Sequence, residues 1–77
     1  MVHLASYRTI GDAEIGWQAL LSAHTELLQS LTPKVRPVIV KGKGTFYRLY
    51  AGPLDADAAN DLCRKLKDAG AFCMPTS

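Results

Sequence analysis

The segment Gly42-Lys43-Gly44-Thr45-Phe46-Tyr47-Arg48-Leu49-Tyr50-Ala51-Gly52-Pro53 leaves little freedom in how this chain can fold. Gly42 and Gly44 open it as a turn, because glycine takes positive φ without steric cost. Phe46, Tyr47, Leu49 and Tyr50 are aromatic and aliphatic types that suit a pleated surface. Gly52-Pro53 closes the run, since proline cannot donate to a ladder. The segment therefore predicts a strand. Side chains alternate along a strand, so Tyr47, Leu49 and Ala51 share one side and Phe46, Arg48 and Tyr50 the other. The first set suits a core. The second places an arginine between two aromatics and predicts a surface that binds something.

The rest of the chain arranges itself around this strand. Val2 to Tyr7 alternates apolar and less apolar residues and predicts a first strand, with Val2 and Leu4 toward the core and His3 and Ala5 on the other side. A turn is expected at Gly11-Asp12, with Asp12 as N-cap of a long helix. Ala13, Trp17, Leu20, Leu21, His24, Leu27, Leu28 and Leu31 recur at the spacing of one helix face, out to about Ser30 or Leu31. His24 lies on or beside that stripe and reads as a half-buried histidine bonded to a neighbour. Lys34 to Lys41, with Val35, Val38, Ile39 and Val40, predicts a second strand that forms a hairpin with the third. Pro37 within it marks a sheet edge. A second helix begins at Asp55, its inner stripe made of Ala59, Leu62, Cys63 and Leu66 and its C-terminal cap by Gly70. Ala71 to Met74 is expected as a last short strand, stopped by Pro75.

Strand, helix, strand, strand, helix, strand is the split βαβ order. It predicts an α+β fold of the βαββαβ, ferredoxin-like and RNP-like type: a four-stranded antiparallel sheet with two helices on one face. The first and third strands are then central, and Pro37 falls on an edge as it should. Two helices cover one face only. The other stays open, and it carries Phe46, Arg48 and Tyr50 beside His3 and Ala5.

Composition narrows the function. Residues 1–77 are expected to form one domain of ordinary apolar and charged content. A net charge of +2 does not by itself point to a polyanion. No apolar run reaches the roughly 20 residues of a membrane helix, and no signal peptide is legible after Met1. Two cysteines outside any CxxC spacing and two histidines make a poor zinc set. All seven acidic residues fall on predicted helix caps or helix surfaces, so no acid–base pair is gathered for catalysis. No enzyme activity, cofactor or metal is expected. A face of aromatics and arginine suits binding of single-stranded nucleic acid or of glycan. An RNA-recognition domain shares the topology, and Lys43, Gly44, Tyr47 and Tyr50 match its third-strand motif. Thr45, Phe46 and Arg48 do not. RNA binding is the second reading, and a protein–protein module using the open face is the third.

Glycan is the first reading, because the sequence resembles the SPOR domains of bacterial cell-wall and division proteins over nearly its whole length. Val2-His3-Leu4-Ala5-Ser6-Tyr7 is similar to the family's Val-Gln-Leu-Gly-Ser-Phe. Phe46 through Leu54 is similar to Tyr-Arg-Val-x-Val-Gly-Pro-Phe. Asp55, then Ala59 and Leu62 with Cys63-Arg64-Lys65-Leu66-Lys67, are similar to the second helix with its Ala-x-x-Leu-x-x-Leu-Lys ending. The resemblance implies the fold derived above and non-catalytic binding of peptidoglycan, preferably glycan strands stripped of their stem peptides. It implies a periplasmic location, division or cell-wall enzymes as further partners, no nucleic-acid ligand, and a membrane anchor only outside this stretch. Carried over by motif, the binding residues are His3, Ser6, Tyr7, Arg48 and Tyr50. Geometry adds Arg8 and Phe46 as neighbours. His3 stands where the family has glutamine and still offers a donor and an acceptor.

The periplasm is oxidising, so the resemblance also implies a Cys63–Cys73 disulfide between the second helix and the last strand. Such a bridge contributes about 2–4 kcal/mol. The alternative is two buried free thiols packed as small apolar residues.

Overall fold

A computed structural model of the chain describes residues 1–76; Ser77, the last residue of the expected domain, lies outside the described residues. The elements are β1 (Val2–Tyr7), α1 (Ile10–Ala23), α2 (Thr25–Leu28), β2 (Thr32–Val40), β3 (Gly44–Gly52), α3 (Ala56–Asp68) and β4 (Met74–Pro75). The four strands form one antiparallel sheet in the order β2-β3-β1-β4. This is the predicted α+β arrangement, with β1 and β3 central and Pro37 on an edge.

Local chemistry accounts for most boundaries. Thr9, not Asp12, caps α1: its Oγ1 accepts from the Asp12 backbone N–H at 3.0 Å. The expected turn at Gly11-Asp12 is therefore the first turn of the helix, with Asp12 placed where the helix dipole favours a carboxylate. The helix predicted to run unbroken to Leu31 is interrupted at His24, whose φ of −133° is not helical. Thr25 explains the break. Its Oγ1 donates to the Leu21 carbonyl at 2.8 Å, so the side chain engages the acceptor a continuing helix would use. His24 is half-buried at the break, and its ring makes no hydrogen bond among the described residues.

α3 follows its prediction closely. Asp55 accepts from the Ala58 N–H at 2.8 Å. At the far end Gly70 has φ +86°, the Gly70 N–H donates to the Lys67 carbonyl, and the Ala71 N–H donates to the Leu66 carbonyl. These are the two bonds of a Schellman cap, which needs the left-handed conformation glycine tolerates. The hairpin turn at Lys41-Gly42-Lys43 closes with Lys43 N–H donating to the Val40 carbonyl, and Gly42 and Gly44 both take positive φ.

β4 is shorter and later than predicted. It comprises Met74 and Pro75, paired to His3 and Val2, and Pro75 lies within it. An edge strand tolerates proline because one side of it needs no donor. The Ala71–Cys73 stretch is held by the α3 cap and by a Cys63–Cys73 disulfide with an S–S distance of 2.06 Å.

The core lies between the sheet and the helices. Val2, Leu4, Leu49 and Ala51 from the central strands meet Trp17, Leu28, Leu62, Cys63, Leu66 and Cys73. No charged or polar residue is buried among the described residues. No helix among them is long and apolar enough to cross a membrane.

Candidate functional site

The site is built by the register of β1 on β3. His3 pairs with Tyr50, but Ala5 pairs with Leu49, so Leu4 is an extra residue in β1 and forms a bulge. The bulge reverses which parity faces outward. Ala5 shares the side of buried Leu49, contrary to the alternation predicted from the sequence. Ser6 pairs with Arg48 and lies on the open face; Tyr7 pairs with Tyr47 and lies on the helix side. In an unbroken strand residues three apart point to opposite faces, yet His3 and Ser6 meet: His3 Nε2 is 3.3 Å from Ser6 Oγ. The same nitrogen lies 3.0 Å from the Ala5 carbonyl, which can only accept, so that bond requires the proton on Nε2.

Six of the seven candidate binding residues thus come together on the helix-free side: His3, Ser6, Arg8, Phe46, Arg48 and Tyr50. Tyr7 does not join them. It packs against α1 at Gly16, where an added Cβ would overlap the phenol, and it belongs to the shell of the core. Tyr7, carried over by motif as a binding residue, lies instead on the helix side of the sheet. The bulge places Tyr7 beneath the helix.

The open face has an aromatic row and a basic row. His3 sits 5.3 Å from Tyr50 between ring centroids, tilted 38°, and 5.6 Å from Phe72 in an edge-on contact. Phe72 is 55% exposed and Met74, which pairs with His3, is 52% exposed. Both are large apolar side chains left in water beside the row. The basic row runs through Arg48 and its direct cross-strand partner Arg36, with Lys34 opposite Tyr50. The Arg36 guanidinium lies 5.6 Å from the Tyr50 ring and that of Arg8 4.5 Å from the Phe46 ring, both within cation–π range. Arg8 is pinned further by Nη1 donating to the Lys43 carbonyl at 2.9 Å.

Lys34, Arg36, Phe72 and Met74 are absent from the residues singled out in the sequence. A signal existed for the first two. Once the Lys41–Lys43 turn sets the hairpin register, the even-numbered residues of β2 must face as Arg48 and Tyr50 do. Phe72 and Met74 follow only if Cys73 points inward, which the disulfide requires.

Charge is segregated more sharply than +2 suggests. All seven acidic residues lie in helices or at a helix cap, whereas six of the nine basic residues lie on the strands, in the hairpin turn or just after β1. Like charges directly opposite on a sheet repel. Arg36 and Arg48 are such a pair, and the ion pairs among the described residues are elsewhere, from Arg64 and Lys65 to Asp61 on α3. No group of three or more potential metal-ligating side chains occurs among the described residues.

A βαββαβ unit with one bare, basic and aromatic sheet face belongs to the class of open-faced binding modules. Within it, the SPOR domain family model matches residues 1–76, and the chain belongs to that family. SPOR domains are known for peptidoglycan binding. They are binding rather than catalytic domains and occur in periplasmic cell-wall-binding proteins. Neither the curated proteins nor the solved structures give a significant match.

Proposed function

We propose that this chain binds peptidoglycan through its helix-free sheet face, without catalysis, and prefers glycan strands stripped of stem peptides. The observation that carries this reading is the opposed Arg36–Arg48 pair, which no carboxylate among the described residues is paired with. Removal of a stem peptide frees the lactyl carboxylate of N-acetylmuramic acid. That group matches a guanidinium fork, which recognises carboxylates in two-point fashion. Tyr50, His3 and Phe72 offer the apolar ring surfaces against which sugar rings stack. His3 and Ser6 add short polar contacts for hydroxyl and acetamido groups. The disulfide suits an oxidising compartment, which supports a periplasmic location, and stripped glycan at division sites would bring division or cell-wall enzymes into its vicinity.

The RNA reading loses ground on geometry. Its matched aromatics, Tyr47 and Tyr50, lie on opposite faces of β3 and cannot form one stacking platform.

The test is pull-down with purified sacculi before and after amidase treatment. Binding should rise several-fold on stripping, and Arg48→Ala with Tyr50→Ala should lower it by about tenfold or more. Binding that is indifferent to stripping would remove the carboxylate from the account. Salt-sensitive capture of short single-stranded RNA, with no capture by sacculi, would replace the glycan reading with the RNA one.

A further inference from the structure

Arg8 is the one arginine of the open face outside the Arg36–Arg48 pair. It follows β1 directly, at the hairpin end of the sheet. Its guanidinium lies over the Phe46 ring at 4.5 Å, and its Nη1 donates to the Lys43 carbonyl at 2.9 Å. Ring and carbonyl together restrain the group. A guanidinium has five N–H donors, and Lys43 takes one. The others have neither a hydrogen-bond partner nor a carboxylate among the described residues. Arg8 is exposed, and so are Lys41 and Lys43 in the adjoining turn.

We infer that Arg8 is a second carboxylate station on this face, and that one glycan strand engages both stations through two successive N-acetylmuramic acid residues. The inference rests on the glycan reading and adds to it the number and spacing of the charges recognised. Phe46 lies two residues from Arg48 along β3, and β1 is the neighbouring strand. One step of ~7 Å along the strands and one of ~5 Å across them put the two stations roughly 8–10 Å apart. That is comparable to one disaccharide repeat, and in a stripped strand the lactyl carboxylates recur once per disaccharide. Ser6, opposite Arg48, and Val38, opposite Phe46, flank the path between the stations. They offer a hydroxyl and an apolar surface to the intervening sugar.

A guanidinium already held in place loses little freedom when it binds, and its fork of donors matches a carboxylate at two points. Two stations on one sheet hold a polymer with linked charges more tightly than either holds a single charge, because the second contact forms at high effective concentration. A lone carboxylate gains nothing from the second station. The face thereby favours a run of stripped repeats over a strand stripped at isolated positions.

Titration calorimetry of the full chain tests this with two amidase-stripped glycan fragments, one carrying a single N-acetylmuramic acid and the other carrying two in succession. The longer fragment should bind about 10-fold more tightly. Arg48→Ala should weaken both fragments to a similar degree. Arg8→Ala should weaken the longer fragment at least about fivefold more than the shorter one. It should also lower the salt dependence of the longer fragment's affinity toward that of the shorter, since one charge contact is lost. A purely structural role of Arg8, through its bond to the turn, would instead weaken both fragments alike and lower Tm. Equal weakening of the two fragments by Arg8→Ala overturns the inference, as does an unchanged salt dependence. Either result leaves the glycan reading standing, because both fragments still bind and still depend on Arg48. If neither fragment binds, the glycan reading itself falls, and this inference with it.

Discussion

The two faces of the sheet use the same strands for different ends. On the helix side Val2, Leu4, Leu49 and Ala51 are buried, and no charged group is among the described residues. On the open side the neighbouring residues His3, Arg48 and Tyr50 are only half-covered and carry the charge and the rings. Leu49 and Tyr50 are adjacent in the chain and belong to different problems. One is held by packing, whose loss costs stability. The other is held by a strand that would form without it, so its loss should cost binding. A module this small can afford a bare face only if its covered face is well packed and, as here, cross-linked.

The sharpest way to break this division is to truncate both neighbours. Leu49→Ala leaves a cavity in the middle of the core and should destabilise by about 2–5 kcal/mol, visible as a fall of about 8 °C or more in Tm at about 4–8 °C per kcal/mol. Tyr50→Ala should shift Tm by only a few degrees and abolish most sacculus binding. Equal thermal losses would mean that the open face is part of the fold's support and that the division is false.

The disulfide tests whether the two faces are coupled. Cys73 sits between Phe72 and Met74, so the bond that ties α3 to this segment also positions the edge of the open face. Cys63→Ser with Cys73→Ser should cost about 2–4 kcal/mol in denaturant unfolding. Sacculus binding under native conditions should fall as well, because only the α3 cap and the short β4 pairing would then hold Phe72 near His3. A stability loss with binding intact would show that Phe72 and Met74 are bystanders.

The smallest effect belongs to the helix surface, away from both faces. Asp61 accepts hydrogen bonds from Lys65, with Nζ at 3.1 Å, and from Arg64. These bonds, Lys65 first, hold its carboxyl below the usual carboxylate range. The folded state therefore binds the proton less readily than the unfolded chain. Its contribution is present above the unfolded pKa of about 4 and is lost as pH falls below it. The group is on the surface, so Asp61→Asn should change Tm at neutral pH by no more than about 2 °C. The difference from the parent should vanish in acid. A larger effect would mean that α3 depends on its surface charges more than on its buried stripe.

Much of this was legible in the order of residues. The alternation in β3 placed Arg48 and Tyr50 on one side and Leu49 and Ala51 on the other, because strand geometry has a period of two that no partner can alter. Asp55 and Gly70 marked both ends of α3, since capping is chemistry within a few residues. The motifs at Val2–Tyr7 and Phe46–Leu54 pointed to the family. Thr9 was legible in principle as the better cap, three residues before Asp12.

Other features arise only when distant parts meet. The bulge at Leu4 decides that Ser6 joins His3 and that Tyr7 leaves them, and the place it gives Tyr7 depends on a distant residue: an added Cβ at Gly16 would overlap the phenol. Arg36 becomes part of the site only through its register opposite Arg48, and Phe72 only because Cys73 is drawn inward to Cys63. The residue order by itself determined the elements, their caps and the parity of β3, which are properties of short stretches of backbone. Tertiary structure decided the membership of the open face. A one-residue change of register exchanges the two sides of a strand, and only packing against the rest of the molecule selects between them.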